Sequence, residues 1–318
     1  MSLRVATRRS RLAVAQTEAV CWALAERVDG FEYELVAITS SGDLIKHGSL
    51  AERGGKGLFT KELDQALLEG TVDLAVHSLK DVPTELKPGL RIAAVPTRAD
   101  PCDGLVGREL LGLSTIGPEL AVGTSSLRRR AQLLSAYRDR SAPKVVGIRG
   151  NVETRAAKVR DGEIDATFLA LAGIERSGLS LDGLAIARLD PFDFVPAVGQ
   201  GALALVTRAD DPETTRALAV LDDPRSRQEV EAERSVARAL GASCYLPVGV
   251  YARTEGAGVD MVALVADADG KRVIKRRYQD NSQRLESAAR RLADQLLEAG
   301  AAEIVAEVER THGPGGQP

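Results

Sequence analysis

The chain is poor in the residues on which several protein classes depend. Its three cysteines, Cys21, Cys102 and Cys244, are far apart and show no CxxC spacing. An odd number without such spacing argues against a disulfide framework and is typical of a reduced compartment. Its three histidines lack metal-ligand spacing, so we expect no metal site. No stretch approaches the roughly 18 apolar residues of a membrane span, and we expect a cytoplasmic protein.

Aromatic residues and net charge are scarce as well. Five Phe, five Tyr and one Trp in 318 residues disfavour a stacking surface for single-stranded nucleic acid. The 42 basic and 45 acidic residues give a net charge of −3, so we expect neither a nucleic-acid partner nor a membrane partner. Arginine, in contrast, is abundant: 33 Arg stand against 9 Lys. Arginine binds carboxylates and phosphates through paired hydrogen bonds, which indicates a polyanionic ligand; a compositional bias of the genome explains the same excess.

Strand and helix patterns alternate through the first two thirds of the chain. Residues 3–7 and 31–38 are predicted strands, and an amphipathic helix that begins near Ser10 lies between them. This order predicts a mainly parallel sheet with helices on both faces. After about residue 221 the pattern changes to a long helix, three strands and a further helix, which predicts a smaller α+β unit.

Two stretches rich in proline and glycine, 96–101 and 191–201, interrupt the α/β part. Two α/β domains joined by two such crossings leave a cleft between them, the usual place for a polar ligand. The predicted division is domain 1 at 1–97 plus 201–220, domain 2 at 98–200, domain 3 at 221–310, and a disordered tail at 311–318.

Arginine and hydroxyl side chains gather where the predicted strands end or the next helices begin. The carboxyl ends of parallel strands face the ligand crevice of an open sheet, so this placement favours polycarboxylate binding. Arginines at 128–130 in a first helical turn oppose the helix dipole, which an anionic ligand would explain. The alternative is a set of solvated basic faces behind ordinary helix caps. The residues concerned are Arg8, Ser10, Thr124, Ser125, Ser126, Arg128, Arg129, Arg149, Arg155 and Arg176, and Gly150 belongs to the same junction as Arg149.

Asp81 and Lys56 are two further candidates. Asp81 follows a predicted strand together with Lys80, and a carboxylate among arginines stays ionised and stabilises a cation or moves a proton. Asp81 also precedes Pro83, where an aspartate is an ordinary turn residue. Lys56 lies among glycines, in a stretch at 42–58 that is either a lid over an anion or simply a flexible loop.

Cys244 is the cysteine most open to reaction. It lies in a loop of small residues after the long helix, whereas Cys21 belongs to an amphipathic helix and is predicted to be core. Cys102, beside the first crossing, is intermediate between the two.

Seven short segments, taken together and in this order, carry a resemblance to a known enzyme family. The segments are 6–10, 54–59, 77–83, 123–129, 149–151, 196–201 and the loop that holds Cys244. They extend over nearly the whole chain and resemble porphobilinogen deaminase (hydroxymethylbilane synthase).

The resemblance implies a fold and an activity. The expected fold has two domains like type II periplasmic binding proteins, with mainly parallel sheets, and a smaller α+β C-terminal domain. The expected activity is that of a transferase of tetrapyrrole (porphyrin and heme) biosynthesis that works as a monomer. Four porphobilinogen molecules are joined head to tail with loss of ammonia on a covalent dipyrromethane primer, and water then releases hydroxymethylbilane.

The resemblance also implies residue roles. Asp81 matches the catalytic carboxylate, and Cys244 matches the cysteine that holds the dipyrromethane cofactor through a thioether. Every pyrrole of such a chain carries an acetate and a propionate, which suits many arginines. The implied cofactor contacts are Lys80, Thr124, Ser125, Ser126, Arg128, Arg129 and Gly150, and the implied substrate contacts are Arg8, Ser10, Lys56, Arg149, Arg155 and Arg176.

Two other functions compete with this interpretation. A non-catalytic anion-binding protein of the same fold would use the arginines but would need neither Asp81 nor Cys244, and it would usually carry an export signal. A nicotinamide dehydrogenase is suggested by the GxGxxA pattern at 199–204, but these glycines precede a predicted strand, whereas the dinucleotide fingerprint follows one.

Overall fold

The computed structural model describes residues 1–44, 57–243, 246–256, 258–281 and 284–313. The strands are β1 (Ser2–Arg8), β2 (Glu32–Ile38), β3 (Leu74–Ser78), β4 (Leu90–Ala94), β5 (Asp103–Gly107), β6 (Ala121–Gly123), β7 (Lys144–Val146), β8 (Ala166–Ala170), β9 (Ala185–Arg188), β10 (Leu203–Arg208), β11 (Val248–Glu255), β12 (Gly258–Ala266) and β13 (Val273–Asp280). The helices are α1 (Arg11–Ala25), α2 (Ser41–Leu44), α3 (Lys61–Leu68), α4 (Leu127–Ser135), α5 (Val152–Arg160), α6 (Leu171–Ser177), α7 (Pro212–Leu218), α8 (Pro224–Ala239), α9 (Leu285–Glu298) and α10 (Ala301–His312).

The first sheet has the strand order β2-β1-β3-β10-β4. β1 pairs in parallel with β2 and β3, whereas β10 runs antiparallel between β3 and β4. The chain therefore returns from the second crossing to complete the first sheet. Val5, Leu74 and Leu205 are fully buried in its core.

The second sheet repeats this arrangement with the order β7-β6-β8-β5-β9, in which β5 is the antiparallel strand. The sequence pattern did not predict β5, because two glycines in five residues weaken the strand signal. The structure explains one of them: a Cβ at Gly104 would lie 2.6 Å from Ile186 and 2.8 Å from Leu171. The second core contains the stacked rings of Phe168 and Phe194, 5.0 Å apart.

The third unit is an antiparallel sheet of β11, β12 and β13, with α8, α9 and α10 packed around it. Val250, Met261 and Leu292 are fully buried in its core. The predicted class, two mainly parallel α/β sheets followed by a smaller α+β unit, is confirmed.

The predicted tail begins too early. α10 extends to His312, so residues 311 and 312 are helical, while 314–318 lie outside the described residues. The helix persists because Ile304 and Val308 are buried in the third core, and the Thr311 hydroxyl donates to the Glu307 carbonyl. The other proposed domain limits remain predictions.

Both crossings are tied to the third unit at Glu233 of α8. Its fully buried carboxylate accepts hydrogen bonds from Arg98 Nη1 (2.7 Å) on the first crossing and from the Gly199 N–H (2.7 Å) on the second. It also accepts one from the Ala252 N–H of β11 (2.9 Å). Gly199 has φ +70°, and a Cβ there would lie 2.0 Å from Leu79 Cδ2, so the GxG segment is a packing turn before β10.

Candidate functional site

The strand ends of the two α/β units face each other. Lys80, directly after β3, interacts electrostatically with Arg128, Arg129 and Asp103 of the second unit. On the same side, Arg11 Nε at the start of α1 lies 4.0 Å from Glu153 Oε1 in α5. Three of the residues that the sequence analysis selected, Lys80, Arg128 and Arg129, therefore come close to one another although they belong to different units.

Asp103, at the start of β5, holds two of the predicted ligand-binding arginines. Its fully buried carboxylate accepts from Arg128 Nη2 (2.8 Å) and from Arg129 Nη2 (2.6 Å), and Gln200 Nε2 donates at 3.0 Å. Burial alone would raise the pKa of Asp103, but the two guanidinium groups outweigh this effect and hold it well below its usual range. Asp103 is therefore a permanent counter-charge.

The ion pairs of Asp103 with Arg128 and Arg129 correct one part of the sequence interpretation. The counter-charge for arginines in the first turn of α4 was expected from a ligand, and the structure supplies it from Asp103 of the chain itself. Arg128 Nη1 also donates to the Val195 carbonyl (2.6 Å), and Arg129 Nη1 to the Phe168 carbonyl (2.9 Å). Arg129 Nε is buried without a hydrogen-bond partner among the described residues.

The three hydroxyl residues before α4 shape its N-terminus. Ser126 is the N-cap, and its Oγ accepts from the Arg129 N–H at 3.4 Å. Thr124 Oγ1 accepts from the Ser126 N–H at 3.2 Å, and the Ser125 hydroxyl donates to the Ile148 carbonyl at 2.7 Å. These hydroxyls organise the junction of β6 with α4, where backbone N–H groups and the positive helix end favour an anion.

A second cationic group lies at the start of α5. Asn151 caps this helix, and Gly150 before it has φ +117°, a backbone region that favours glycine. Arg155 Nε donates to the Gly150 carbonyl at 2.9 Å. Burial, followed by repulsion from Arg129 and Arg149, lowers the pKa of Arg155 to about 10. Mutual repulsion among three guanidinium groups is relieved when carboxylates bind between them.

Arg8 ends β1 and belongs to the matching junction of the first unit. Its Nε donates to Asp43 Oδ2 (3.2 Å), its Nη2 pairs with Asp43 Oδ1, and its guanidinium carbon lies 4.3 Å from the centre of the Phe59 ring. Ser10 is the N-cap of α1, and its Oγ accepts from the Ala13 N–H at 3.3 Å. The first unit therefore has the same hydroxyl cap and arginine as the second.

Lys80 and Asp81 occupy the short 3-10 turn (Leu79–Asp81) after β3. Both side chains are half-buried. Burial, which the neighbouring Asp81 opposes, lowers the pKa of Lys80 to about 8. In the described part of the chain, no hydrogen bond or ion pair engages the Asp81 carboxylate, so its charge is available to a ligand.

Arg176 of α6 lies farther along the same region. Its Nη2 donates to the Gly201 carbonyl at 2.8 Å, which connects α6 to the second crossing. Burial lowers the pKa of this guanidinium. Half-buried but still cationic, Arg176 remains suited to a carboxylate.

The cysteines differ sharply in their surroundings. Cys21 and Cys102 are both fully buried. Burial raises the pKa of Cys21 to about 12, and burial together with the neighbouring Asp100 also raises the pKa of Cys102, so neither thiol ionises readily. Cys244 and Lys56 lie outside the described residues.

A cavity of about 680 Å³ is bordered by Lys80, Val198, Arg234 and Ser243.

Two acidic residues of this region were missed from the sequence. Asp103 opens an apolar strand, and an isolated carboxylate at that position signals a buried ion pair. Asp43 gave no signal, because a serine- and glycine-rich stretch is typical of a loop.

Across the described ranges, no three acidic, cysteine or histidine side chains are placed to bind a metal. In these ranges, too, every helix is too short or too polar to cross a bilayer.

The chain is similar to known proteins over almost its whole length. Residues 3–216 match the family model described as "Porphobilinogen deaminase, dipyromethane cofactor binding domain", and residues 227–298 match "Porphobilinogen deaminase, C-terminal domain". A porphobilinogen deaminase of Xanthomonas campestris pv. campestris is 45% identical over 307 residues, covering 96% of this chain and 99% of the relative.

A second relative is also similar over almost its whole length. The porphobilinogen deaminase of Natranaerobius thermophilus is 42% identical over 314 residues, covering 97% of this chain and 99% of the relative. Among solved structures, the substrate-binding domain of a putative molybdenum ABC transporter from Clostridium difficile gives a TM-score of 0.43 at 12% identity, covering 73% of this chain and 96% of that one. From the matched models and the near-complete coverage of both relatives, it follows that the chain belongs to the porphobilinogen deaminase family.

Proposed function

We propose that the residues at the facing strand ends carry out the activity of this family on porphobilinogen. That activity is the transferase reaction of hydroxymethylbilane synthase. Four porphobilinogen molecules are joined with loss of ammonia, and water then releases the product, hydroxymethylbilane. The observation that carries the assignment of residues is the convergence of cationic side chains from both units on one region. Lys80 of the first unit is close enough to Arg128 and Arg129 of the second to interact with them electrostatically.

The cationic residues bind the carboxylates of the cofactor and of the growing chain. The family model assigns a dipyrromethane cofactor to this part of the chain, and a two-pyrrole unit carries several carboxylates. The buried Arg129 Nε without a partner and the mutual repulsion at Arg155 fit such a polyanion. We assign Lys80, Thr124, Ser125, Ser126, Arg128, Arg129 and Gly150 to the cofactor, and Arg8, Ser10, Lys56, Arg149, Arg155 and Arg176 to the substrate chain.

Asp81 is the catalytic carboxylate of this proposal. Loss of ammonia from porphobilinogen leaves a cationic methylene-pyrrole, and an ionised carboxylate stabilises that charge as it develops. Asp103 and Asp43 are each held by arginine, whereas Asp81 is not paired within the described residues. Lys80 beside it contributes positive charge for a carboxylate and, with a pKa near 8, gains and loses a proton close to neutral pH.

Cys244 is the proposed attachment point of the cofactor. When bound, the dipyrromethane supplies the free pyrrole position to which substrate units are added. The two other cysteines are fully buried with raised pKa values, which makes both poor thiolate nucleophiles. Ser243, immediately before Cys244 in the sequence, borders the same cavity as Lys80.

The experiment that tests this function is the intact mass of the purified protein, combined with turnover of porphobilinogen. The protein should be heavier than its sequence by one two-pyrrole unit and should colour with an aldehyde reagent for pyrroles. Cys244→Ala should remove both signals, whereas Cys21→Ala and Cys102→Ala should keep them. An adduct that maps to Cys102, or active protein without any adduct, contradicts the assignment of Cys244.

We also propose that the chain acts as a monomer in the cytoplasm, without metal or nucleic acid. The near-balanced charge supports the absence of nucleic acid, and the odd number of widely spaced cysteines supports a reduced compartment such as the cytoplasm. The monomer follows from the family resemblance alone. Sedimentation of the active protein at several concentrations measures the first point, and a single monomeric species is the expected result.

A further inference from the structure

Arg8 already holds a carboxylate in this structure. The fork formed by its Nε and Nη2 engages both oxygens of Asp43, and Phe59 covers its guanidinium group. Two parallel bonds from a guanidinium fork to a carboxylate are also how an arginine binds an acetate or propionate side chain. The edge of Arg8 that would hold a substrate carboxylate is therefore occupied by the chain itself.

Asp43 does not depend on Arg8 alone. Its Oδ2 also accepts from the Ser40 hydroxyl at 2.6 Å and from the Ser40 N–H at 3.4 Å. Burial alone would raise the pKa of Asp43, but bonds from Arg8 and Ser40 outweigh it and leave this pKa below its usual value. If Arg8 turned to another carboxylate, Asp43 would keep two hydrogen bonds and would not be left as a buried, unpaired charge.

The exposure of this pair makes such an exchange feasible. The side chains of Arg8 and Asp43 are 21% and 25% exposed, whereas the Asp103 side chain is fully buried. An ion pair that water reaches contributes little net stability, while breaking a buried one is strongly unfavourable. Of the two arginine–aspartate groups at the facing strand ends, only that of Arg8 can change partners at low cost.

We propose that Asp43 is an exchange partner for Arg8: it releases the guanidinium when a substrate carboxylate binds and takes it back when that ring moves on. This inference rests on the proposed function, in which four substrate molecules are added in succession. An arginine without an alternative partner would release the carboxylate of each ring more slowly. Asp43 acts only through Arg8 and is therefore a positioning residue.

The first test is Asp43→Asn, which keeps the shape and an acceptor for the Ser40 hydroxyl but removes the charge. Because Arg8 then has no internal competitor, the KM for porphobilinogen should fall by about twofold to fivefold, the range expected for a partly exposed ion pair. kcat should fall too, because rings leave Arg8 more slowly, and intact mass should show more enzyme with an incomplete chain. Asp43→Glu should move all three readouts back toward wild type.

Ser40→Ala provides a test of opposite sign. It removes the hydroxyl that stabilises Asp43 after Arg8 has left, so Asp43 should hold Arg8 more strongly and the KM should rise. The matched control is Asp73→Asn. Asp73 pairs with Arg4, which lies on strand β1 as Arg8 does. Removing the Asp73 charge should therefore lower thermal stability and leave KM and kcat unchanged.

The outcomes separate this inference from the function on which it rests. Wild-type protein that does not condense porphobilinogen overturns the proposed function and this inference with it. Wild-type protein that turns over, with an Asp43→Asn variant whose KM is unchanged or higher, overturns the exchange alone. A variant that melts much earlier and also loses affinity would show that Asp43 is only a structural cap.

Discussion

The two α/β units present the same chemical pair, an aspartate and arginine, in different environments. In the second unit Asp103 holds Arg128 and Arg129, and none of the three side chains is more than 9% exposed. In the first unit Asp43 holds Arg8, and both side chains are in partial contact with water. Burial makes the first group a fixed part of the scaffold, whereas exposure leaves the second able to change partners.

Asp81 extends this comparison to a third carboxylate. It lies on the first unit close to Lys80, and no arginine pairs with it in the described part of the chain. Three aspartates of this region thus differ in the number of arginines that pair with them: two for Asp103, one for Asp43 and none, among the described residues, for Asp81. The expected loss of stability on replacing each aspartate therefore decreases from Asp103 to Asp43 to Asp81, whereas a large loss of turnover is expected for Asp81.

The largest expected effect is that of Asp103→Asn. This change leaves two buried guanidinium groups without their counter-charge, which should lower the free energy of unfolding by about 3–5 kcal/mol. Denaturant unfolding measures this loss, with Asp43→Asn as the matched change in the other unit, for which less than about 1 kcal/mol is expected. Equal losses in both variants would mean that burial does not distinguish the two pairs.

The stability difference between wild type and Asp103→Asn should also depend on pH. Arg128 and Arg129 outweigh burial and depress the folded-state pKa of Asp103, so its stabilising contribution is present above the ordinary aspartate pKa of about 3.9. The contribution is lost as pH falls through the depressed folded value. The difference in unfolding free energy between wild type and Asp103→Asn should therefore be constant from about pH 5 to 7 and narrow below about pH 4. A difference that widens in acid would reverse the sign of this linkage.

Asp81→Asn should have the opposite profile. Because no hydrogen bond or ion pair of the described chain depends on this carboxylate, the unfolding free energy should change by less than about 0.5 kcal/mol. Turnover should fall by more than about 100-fold, or about 2.7 kcal/mol in the barrier, because the cationic intermediate loses its counter-charge. Steady-state rates with porphobilinogen measure this effect. Turnover within about tenfold of wild type would remove Asp81 from the mechanism.

The sequence predicted much of this region because its signals are local. Strand ends with hydroxyl caps, as at Ser10 and Ser126, follow from residue pattern and helix chemistry over a few positions. The partners of the arginines were not predictable in this way. Asp103 is 25 positions from Arg128, and Asp43 is 35 positions from Arg8, so only the folded sheets bring them together. The antiparallel strand β5 was missed for a related reason: the residues that leave no room for a side chain at Gly104, Ile186 and Leu171, are distant from it in the sequence.

The smallest expected effect concerns the two hydroxyl caps that the units share. Ser10 and Ser126 accept from backbone N–H groups at 3.3 and 3.4 Å, so Ser→Ala at either position should cost about 0.5–1 kcal/mol of unfolding free energy. Ser→Asp should restore that stability, because aspartate is an equally good cap and favours the positive helix end. In both units, however, the new carboxylate should repel those of the ligand, so turnover should fall even though the fold is repaired. Thermal melts and steady-state rates on the four variants measure the two effects separately. Normal turnover in the Ser126→Asp variant with loss only in Ser10→Asp would mean that the second unit uses its cap for folding alone, and that the similarity between the two junctions does not extend to the ligand.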